Sequence, residues 1–197
     1  MNNLKMIAIT GGIGSGKSVA LSIIADAGYK TLTCDGITKD LYKKRKIKLK
    51  LKKLFPTAVK GFFNPQIDKP ELSRIVFESK EKLELLTATI TPLVMQEVLS
   101  RAKKLNQTVF VEVPLLFECG YENYFDGVIV ITRPLKDRIE SVKIRSNLAE
   151  EQIIARINAQ VDYEQKDLSP YTVIINDGNQ QSLKEKVLSS VKKLINE

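Results

Sequence analysis

Residues 6–25 read MIAITGGIGSGKSVALSIIA, and within them Gly11–Ser18 fit G-x-x-x-x-G-K-[ST], a loop that wraps phosphate oxygens. The apolar run 6–10 suits a buried strand, and the residues after the loop suit a helix over 17–27 that stops at Gly28 and turns Val19, Ile23 and Ile24 toward the sheet. Glycines let backbone N–H groups turn inward around phosphate, and the helix that follows adds the positive end of its dipole. The nucleotide-binding set is therefore Gly12, Ile13, Gly14, Ser15, Gly16, Lys17, Ser18 and Val19. Lys17 reaches the β and γ phosphates of a nucleoside triphosphate, and Ser18 is a ligand for Mg²⁺. What receives the phosphate has to be read from the rest of the chain.

Further apolar runs stand at YKTLT (29–33), TVFVEV (108–113), GVIVIT (127–132) and YTVII (171–175), separated by helical stretches. Continuous apolar runs suit strands covered on both faces, so the expected fold is α/β with a five-stranded parallel sheet flanked by helices. About seventy residues without a convincing strand separate the second run from the third, far beyond ordinary α/β connections, and predict a helical insertion. Within it Leu83, Leu86, Ile90, Leu93, Met95, Val98 and Leu105 follow helical spacing, with Pro92 as a kink. The stretch RPLKDRIESVKIRSNLAEEQIIARINAQ (133–160) predicts two helices broken near Ser146 and Asn147, and 180–195 predicts a last helix over the sheet.

The composition narrows the chemistry. With 197 residues, 43% of them hydrophobic, the chain can bury one sizeable core. No histidine is present, which excludes an imidazole base, an imidazole metal ligand and a Ser-His-Asp triad. Cys34 and Cys119 lack disulfide or metal spacing and read as small buried hydrophobes. Neither a signal peptide nor a spanning apolar run is visible, so a cytoplasmic location is expected. The net charge of +8 implies an anionic partner. Much of it lies in LYKKRKIKLKLKKLF (41–55), whose basic run 43–53 invites a nucleic-acid or membrane reading. Leu41, Ile47, Leu51 and Leu54 instead mark one solvated basic face over a small core, so neither nucleic acid nor membrane is expected as a partner.

Several residues carry candidate chemistry. Asp35 follows the second strand, at the sheet edge where ligands of open α/β folds bind. It can accept a proton from an acceptor hydroxyl, hold Mg²⁺ through water, or cap a helix that starts at Gly36; all three readings stand. Glu112 ends the third strand and is the second candidate metal residue, whereas Glu118 has a surface salt bridge as its plain reading. Arg138, Arg145 and Arg156 lie in the two-helix stretch, which can close over a nucleotide and bring guanidinium charge to the transferring phosphoryl group. Arg145 stands out at the break.

Together these motifs resemble one family, dephospho-coenzyme A kinase, over nearly the whole chain. ITGGIGSGKS is similar to its opening loop, CDGITKDLY to its aspartate segment, VEVPLLFECGY to an internal motif, DRIESVKIRSNLAEEQIIARINAQ to its lid and VIINDGN to its closing turn. The resemblance implies transfer of the ATP γ-phosphoryl group to the ribose 3'-hydroxyl of dephospho-coenzyme A, the last step of coenzyme A synthesis, with Mg²⁺. It implies a nucleotide-binding core over 1–34, 108–137 and 168–197, a helical acceptor-binding subdomain over 35–107 and a lid over 138–167. It further implies Lys17, Asp35 and Arg145 as catalytic residues, Asn176 beside the nucleotide, and acceptor contacts at Asp35, Lys69, Thr91, Leu115 and Glu118. For Asn176 a plain turn in NDG is the alternative. The family usually has His-Pro at Thr91-Pro92, Arg at Lys69, an acidic residue at Thr33 and Ala-Asp at Pro170-Tyr171. Another nucleoside or nucleotide kinase would carry the same loop. A GTPase switch or ABC-type subunit would need Asn-Lys-x-Asp or Leu-Ser-Gly-Gly-Gln, both missing, while a nucleotide-dependent basic binding module stays an alternative. A monomer or weak homo-oligomer acting on a small molecule is expected.

Overall fold

The computed structural model describes residues 4–146 and 148–196. It divides the chain into two compact units, Met1–Thr33 with Ala102–Glu197, and Cys34–Arg101.

The first unit is built on a five-stranded sheet. Its strands are β1 (Met6–Thr10), β2 (Lys30–Thr33), β5 (Val109–Glu112), β6 (Gly127–Thr132) and β7 (Thr172–Ile175), in the order β2-β5-β1-β6-β7. Every pairing is parallel, as the continuous apolar runs predict. The register aligns the strand ends: Thr33 and Ile9 both pair with Glu112, Thr10 with Val130, and Thr132 with Ile175. The loops after all five strands therefore leave from one edge. α1 (Lys17–Asp26) and α8 (Gln180–Asn196) pack on each other against the sheet. Ile7, Ile9, Ile24, Phe110 and Ile131 are wholly buried in that core. On α1 the buried residues are Ala20, Leu21, Ile23 and Ile24, while Val19 is exposed. That corrects the predicted face: the buried face is centred near Ala20 and Ile24, and Val19, about 100° round the helix from Ala20, falls beyond its edge.

The second unit holds α2 (Cys34–Lys43), α3 (Arg45–Leu54), a short 3₁₀ turn (Pro56–Ala58), β3 (Val59–Lys60), β4 (Gln66–Ile67), α4 (Lys69–Phe77) and most of α5 (Lys80–Leu105). The antiparallel β3–β4 hairpin was not expected. Two-residue strands are too short to show alternation, and the turn at Gly61, with φ +87°, is their main signal. α5 runs unbroken through Pro92 and buries Ile90, Val94, Met95 and Val98, whereas Leu83 is exposed. On α3 and its neighbours Leu41, Ile47 and Leu51 are buried as the spacing predicts. α2 begins at Cys34, so Asp35 lies inside its first turn and does not precede it as a cap at Gly36 would. The cysteines are half-buried thiols, not core residues.

α6 (Leu135–Arg145) and α7 (Glu150–Asn158) form the two-helix stretch, and Lys143 pairs with Glu150 across the turn between them. Ser146 closes α6, whereas Asn147, the other residue of the predicted break, lies outside the described residues. Among the described residues no helix is long and apolar enough to cross a membrane.

Candidate functional site

The phosphate loop leaves β1 at Gly11 and enters α1 at Lys17, and distant side chains hold its backbone. Arg138, buried near the start of α6, donates from Nε to the Ile13 carbonyl at 3.0 Å. The Gln160 side-chain oxygen accepts the Ile13 N–H at 2.7 Å. One peptide unit on each side of Ile13 is thus tied to the two ends of the helical pair. Asn176, following β7, donates its amide N–H to the Ser15 carbonyl at 2.9 Å, and its backbone N–H meets the Thr132 carbonyl at 2.8 Å. Asn176 is more than a turn former.

The glycines make this bracing possible. A β-carbon at Gly12 would run into the Arg138 guanidinium, and one at Gly16, where φ is +104°, would strike the Asn176 amide. The loop can be held this closely only where no side chain intervenes.

Lys17 turns its amine back onto the loop, donating to the carbonyls of Gly11 at 2.7 Å and Gly12 at 2.9 Å. Burial lowers its pKa to about 8, opposed by the nearby Glu112 carboxylate and reinforced by the charges of Arg138 and Arg145. Arg145, the exposed last residue of α6, is therefore electrostatically coupled to the loop lysine. Arg156 is exposed on α7, and Arg138 acts as a buried brace with a pKa lowered by desolvation. Of the three arginines, only Arg138 is buried, whereas Arg145 and Arg156 are exposed.

Ser18 Oγ donates to Glu112 Oε1 at 3.0 Å, joining the start of α1 to the end of β5. These are hard oxygen donors, and they fit Mg²⁺, which keeps several waters and takes one or two protein oxygens beside substrate phosphates. Among the described residues no group of three or more His, Cys, Asp or Glu could hold a metal by itself.

The loop after β5 also contributes. Leu115 is exposed, and Glu118 accepts the Val161 N–H at 2.9 Å, in place of the surface ion pair expected for it. Glu118 and Gln160 thus fasten consecutive residues of the segment after α7. Phe117 packs on Tyr163 and Tyr171, with ring centroids 6.0 and 5.1 Å apart, which gives Tyr171 a packing role. Tyr163 is buried with its hydroxyl 3.5 Å from Thr10 Oγ1, and burial pushes its pKa up to about 12.

Asp35 is exposed in the first turn of α2, two residues past Thr33. Lys69 opens α4 behind Asp68, whose carboxylate caps that helix by accepting the Glu71 N–H, and Thr91 is half-buried within α5. These three belong to the helical unit. Gln160 and Tyr163 had no assigned role from sequence, although Gln160 closes the Arg-Ile-x-x-Gln pattern of 156–160, a signal strong enough to have found it.

The family model for dephospho-CoA kinase matches residues 5–182. A dephospho-CoA kinase of Thermus thermophilus is 35% identical over 187 residues, covering 94% of this chain and 89% of the relative. Among solved structures, TT1252 from Thermus thermophilus aligns with a TM-score of 0.84 at 34% identity, covering 97% of both chains. A dephospho-CoA kinase from Campylobacter jejuni aligns at 0.65 with 26% identity, over 96% of this chain and 97% of that one.

Proposed function

This chain belongs to the dephospho-CoA kinase family and is an ATP-dependent kinase for dephospho-coenzyme A, and from that premise we propose how its residues divide the work. The reaction moves the γ-phosphoryl group of ATP to the ribose 3'-hydroxyl of dephospho-coenzyme A, giving coenzyme A and ADP. Such transfers pass through a loose transition state with charge spread over the phosphoryl oxygens, so the protein's task is positioning and electrostatic stabilisation.

The backbone N–H groups of the phosphate loop cradle the triphosphate. Lys17 exchanges the carbonyls of Gly11 and Gly12 for β and γ oxygens, an exchange within an already desolvated position. Its proton is held more tightly once anionic phosphate arrives. Arg138, Gln160 and Asn176 keep the loop from relaxing as that charge moves. Arg145 adds positive charge from the end of α6, and Arg156 joins it from the lid. Ser18 and Glu112 would hold Mg²⁺, which would supply positive charge to offset that of the phosphate oxygens.

Asp35 takes the proton of the 3'-hydroxyl as the new oxygen–phosphorus bond forms and the β–γ bridge breaks, with ADP leaving. Lys69 and Thr91 contact the acceptor. Lys69 carries charge without the planar fork of arginine, and Thr91 offers one hydroxyl in place of an imidazole. The core, helical and lid boundaries at 1–34, 35–107, 108–137, 138–167 and 168–197 belong to the same reading, as does a cytoplasmic enzyme that is a monomer or weak homo-oligomer.

The observation that carries this assignment is the single phosphate loop on which Lys17, Ser18, Glu112 and the braces converge. A coupled assay for ADP release tests it directly. Release should depend on dephospho-coenzyme A; release with a nucleoside monophosphate instead would assign the chain to another acceptor.

A further inference from the structure

The chain carries 31 basic and 23 acidic residues, yet its positive excess is not spread over the molecule. The segment 39–63 alone holds ten basic residues against one acidic residue, Asp40, which leaves 21 basic and 22 acidic residues elsewhere. The excess is concentrated on α3 and the turns around it, in the helical unit.

α3 has two faces. Ile47 and Leu51 are buried, while Arg45, Lys46, Leu49, Lys50 and Lys53 lie on the other side and are exposed. Arg45, Lys46, Lys50 and Lys53 have no acidic partner among the described residues, unlike Lys43 and Lys44, which pair with Asp40 and Glu97. Leu49 is an apolar side chain in the middle of this basic face. Beside α3 stands the tip of the β3–β4 hairpin, where Phe62 and Phe63 are 80% and 85% exposed. Lys52 joins helix to tip, donating to the Gly61 carbonyl at 2.7 Å with its amine 5.8 Å from the centre of the Phe62 ring. Two adjacent phenylalanines so fully in water are costly, since neither has a polar handle to solvate.

We propose that this patch seats the protein peripherally on an anionic phospholipid surface, with Phe62 and Phe63 entering the interfacial layer and the basic face of α3 against the headgroups. Charge complementarity identifies the partner: an anionic leaflet attracts clustered Lys and Arg, and apolar side chains among them add the burial that free anions cannot supply. The ring geometry separates a lipid from a single-stranded nucleic acid. Phe62 and Phe63 meet edge to face, with centroids 5.2 Å apart and planes at 87°, and so do not form a parallel stacking platform for successive bases. The expectation of no membrane partner rested on a solvated basic face and did not include the exposed aromatic tip.

The test uses the full chain with vesicles of phosphatidylcholine containing phosphatidylglycerol, and with vesicles of phosphatidylcholine alone. The protein should sediment with the anionic vesicles, less so as salt rises, and not with the neutral ones. Phe62→Ser with Phe63→Ser should weaken binding roughly tenfold or more, while thermal stability and the KM for dephospho-coenzyme A stay unchanged. Because the chain has no tryptophan, Phe63→Trp supplies a lone fluorophore whose emission should shift to the blue on anionic vesicles. Absence of sedimentation, full binding by the double serine variant, or an unshifted Trp emission overturns the proposal. Tight binding to single-stranded RNA without vesicle binding assigns the patch to nucleic acid instead. A raised acceptor KM in the serine variant assigns the phenylalanines to the acceptor site and likewise overturns it.

Discussion

The two units use their polar side chains in different ways. In the sheet unit, Arg138, Gln160, Asn176 and Lys17 all bond to the backbone of one loop, across sequence separations of up to 161 residues. In the helical unit, polar side chains pair mainly with one another at the surface: Arg74 with Glu71 and Glu78, Arg101 with Glu97 and Asp40, Lys60 with Asp68. A buried bond to backbone fixes a geometry, because breaking it strands a desolvated group. An exposed pair fixes little, because water replaces either partner. The nucleotide end is thus preorganised, whereas the helical unit keeps its surface groups adaptable.

Asp35 is the severest test of that contrast, since it would be a catalytic group in the unit of adaptable surfaces. Asp35→Asn should lower turnover by about 10² to 10⁴-fold, the usual worth of a general base, with ATP affinity kept. Loss of melting temperature alone would show that the carboxylate serves only the first turn of α2. Next in size, Lys17→Ala should remove at least ~10² to 10³ in turnover, as for one preorganised transition-state donor. Wild-type kinetics in that variant would end its assigned role.

Asn176→Ala sharpens the comparison on stability. It strands the buried Ser15 carbonyl and should cost about 1–3 kcal/mol, read by denaturant unfolding, together with a higher KM for ATP. Proton linkage gives a smaller signal. With a folded pKa of about 8 against an ordinary 10.5, Lys17 is partly neutral in the free protein just above pH 8. ATP should therefore bind with uptake of up to about one proton there, measured by calorimetry in buffers of different ionisation enthalpy. The same shift makes the unfolded chain hold more protons between the two pKa values, so this lysine's contribution to stability rises with pH across that window. Lys17→Met should abolish both effects. At the bottom of the scale, Arg74→Ala should leave melting temperature unchanged, and a clear drop would mean that the surface pairs of the helical unit are more than surface pairs.

Much of this was legible in the chain. The three inner strands β1, β5 and β6 are apolar runs, because a strand covered on both faces has no polar side to show, whereas the edge strands β2 and β7 keep exposed positions. The glycine-rich loop declared its ligand, because few residues other than glycine tolerate its backbone and its close neighbours. The β3–β4 hairpin was hidden by its brevity. The exposure of Val19 was hidden because it sits at the margin of the buried face, one i, i+4 step from the buried Ile23, where spacing alone does not set the edge. Glu118, an exposed carboxylate, read as half of a surface ion pair because its actual partner is a backbone N–H, which no side-chain pattern reveals.

By itself, then, the sequence determined the layered α/β fold, the phosphate loop, the family and the exclusion of histidine chemistry. Each depends on local spacing or on the mere presence of a residue type. Only the tertiary structure decided that Arg138 is a brace, that Gln160 holds Ile13, that Ser18 meets Glu112, and that Phe62 and Phe63 stand in water beside a basic helix. Those facts are distances between residues far apart in the chain or the exposure of a turn, and both are fixed by packing, not by periodicity.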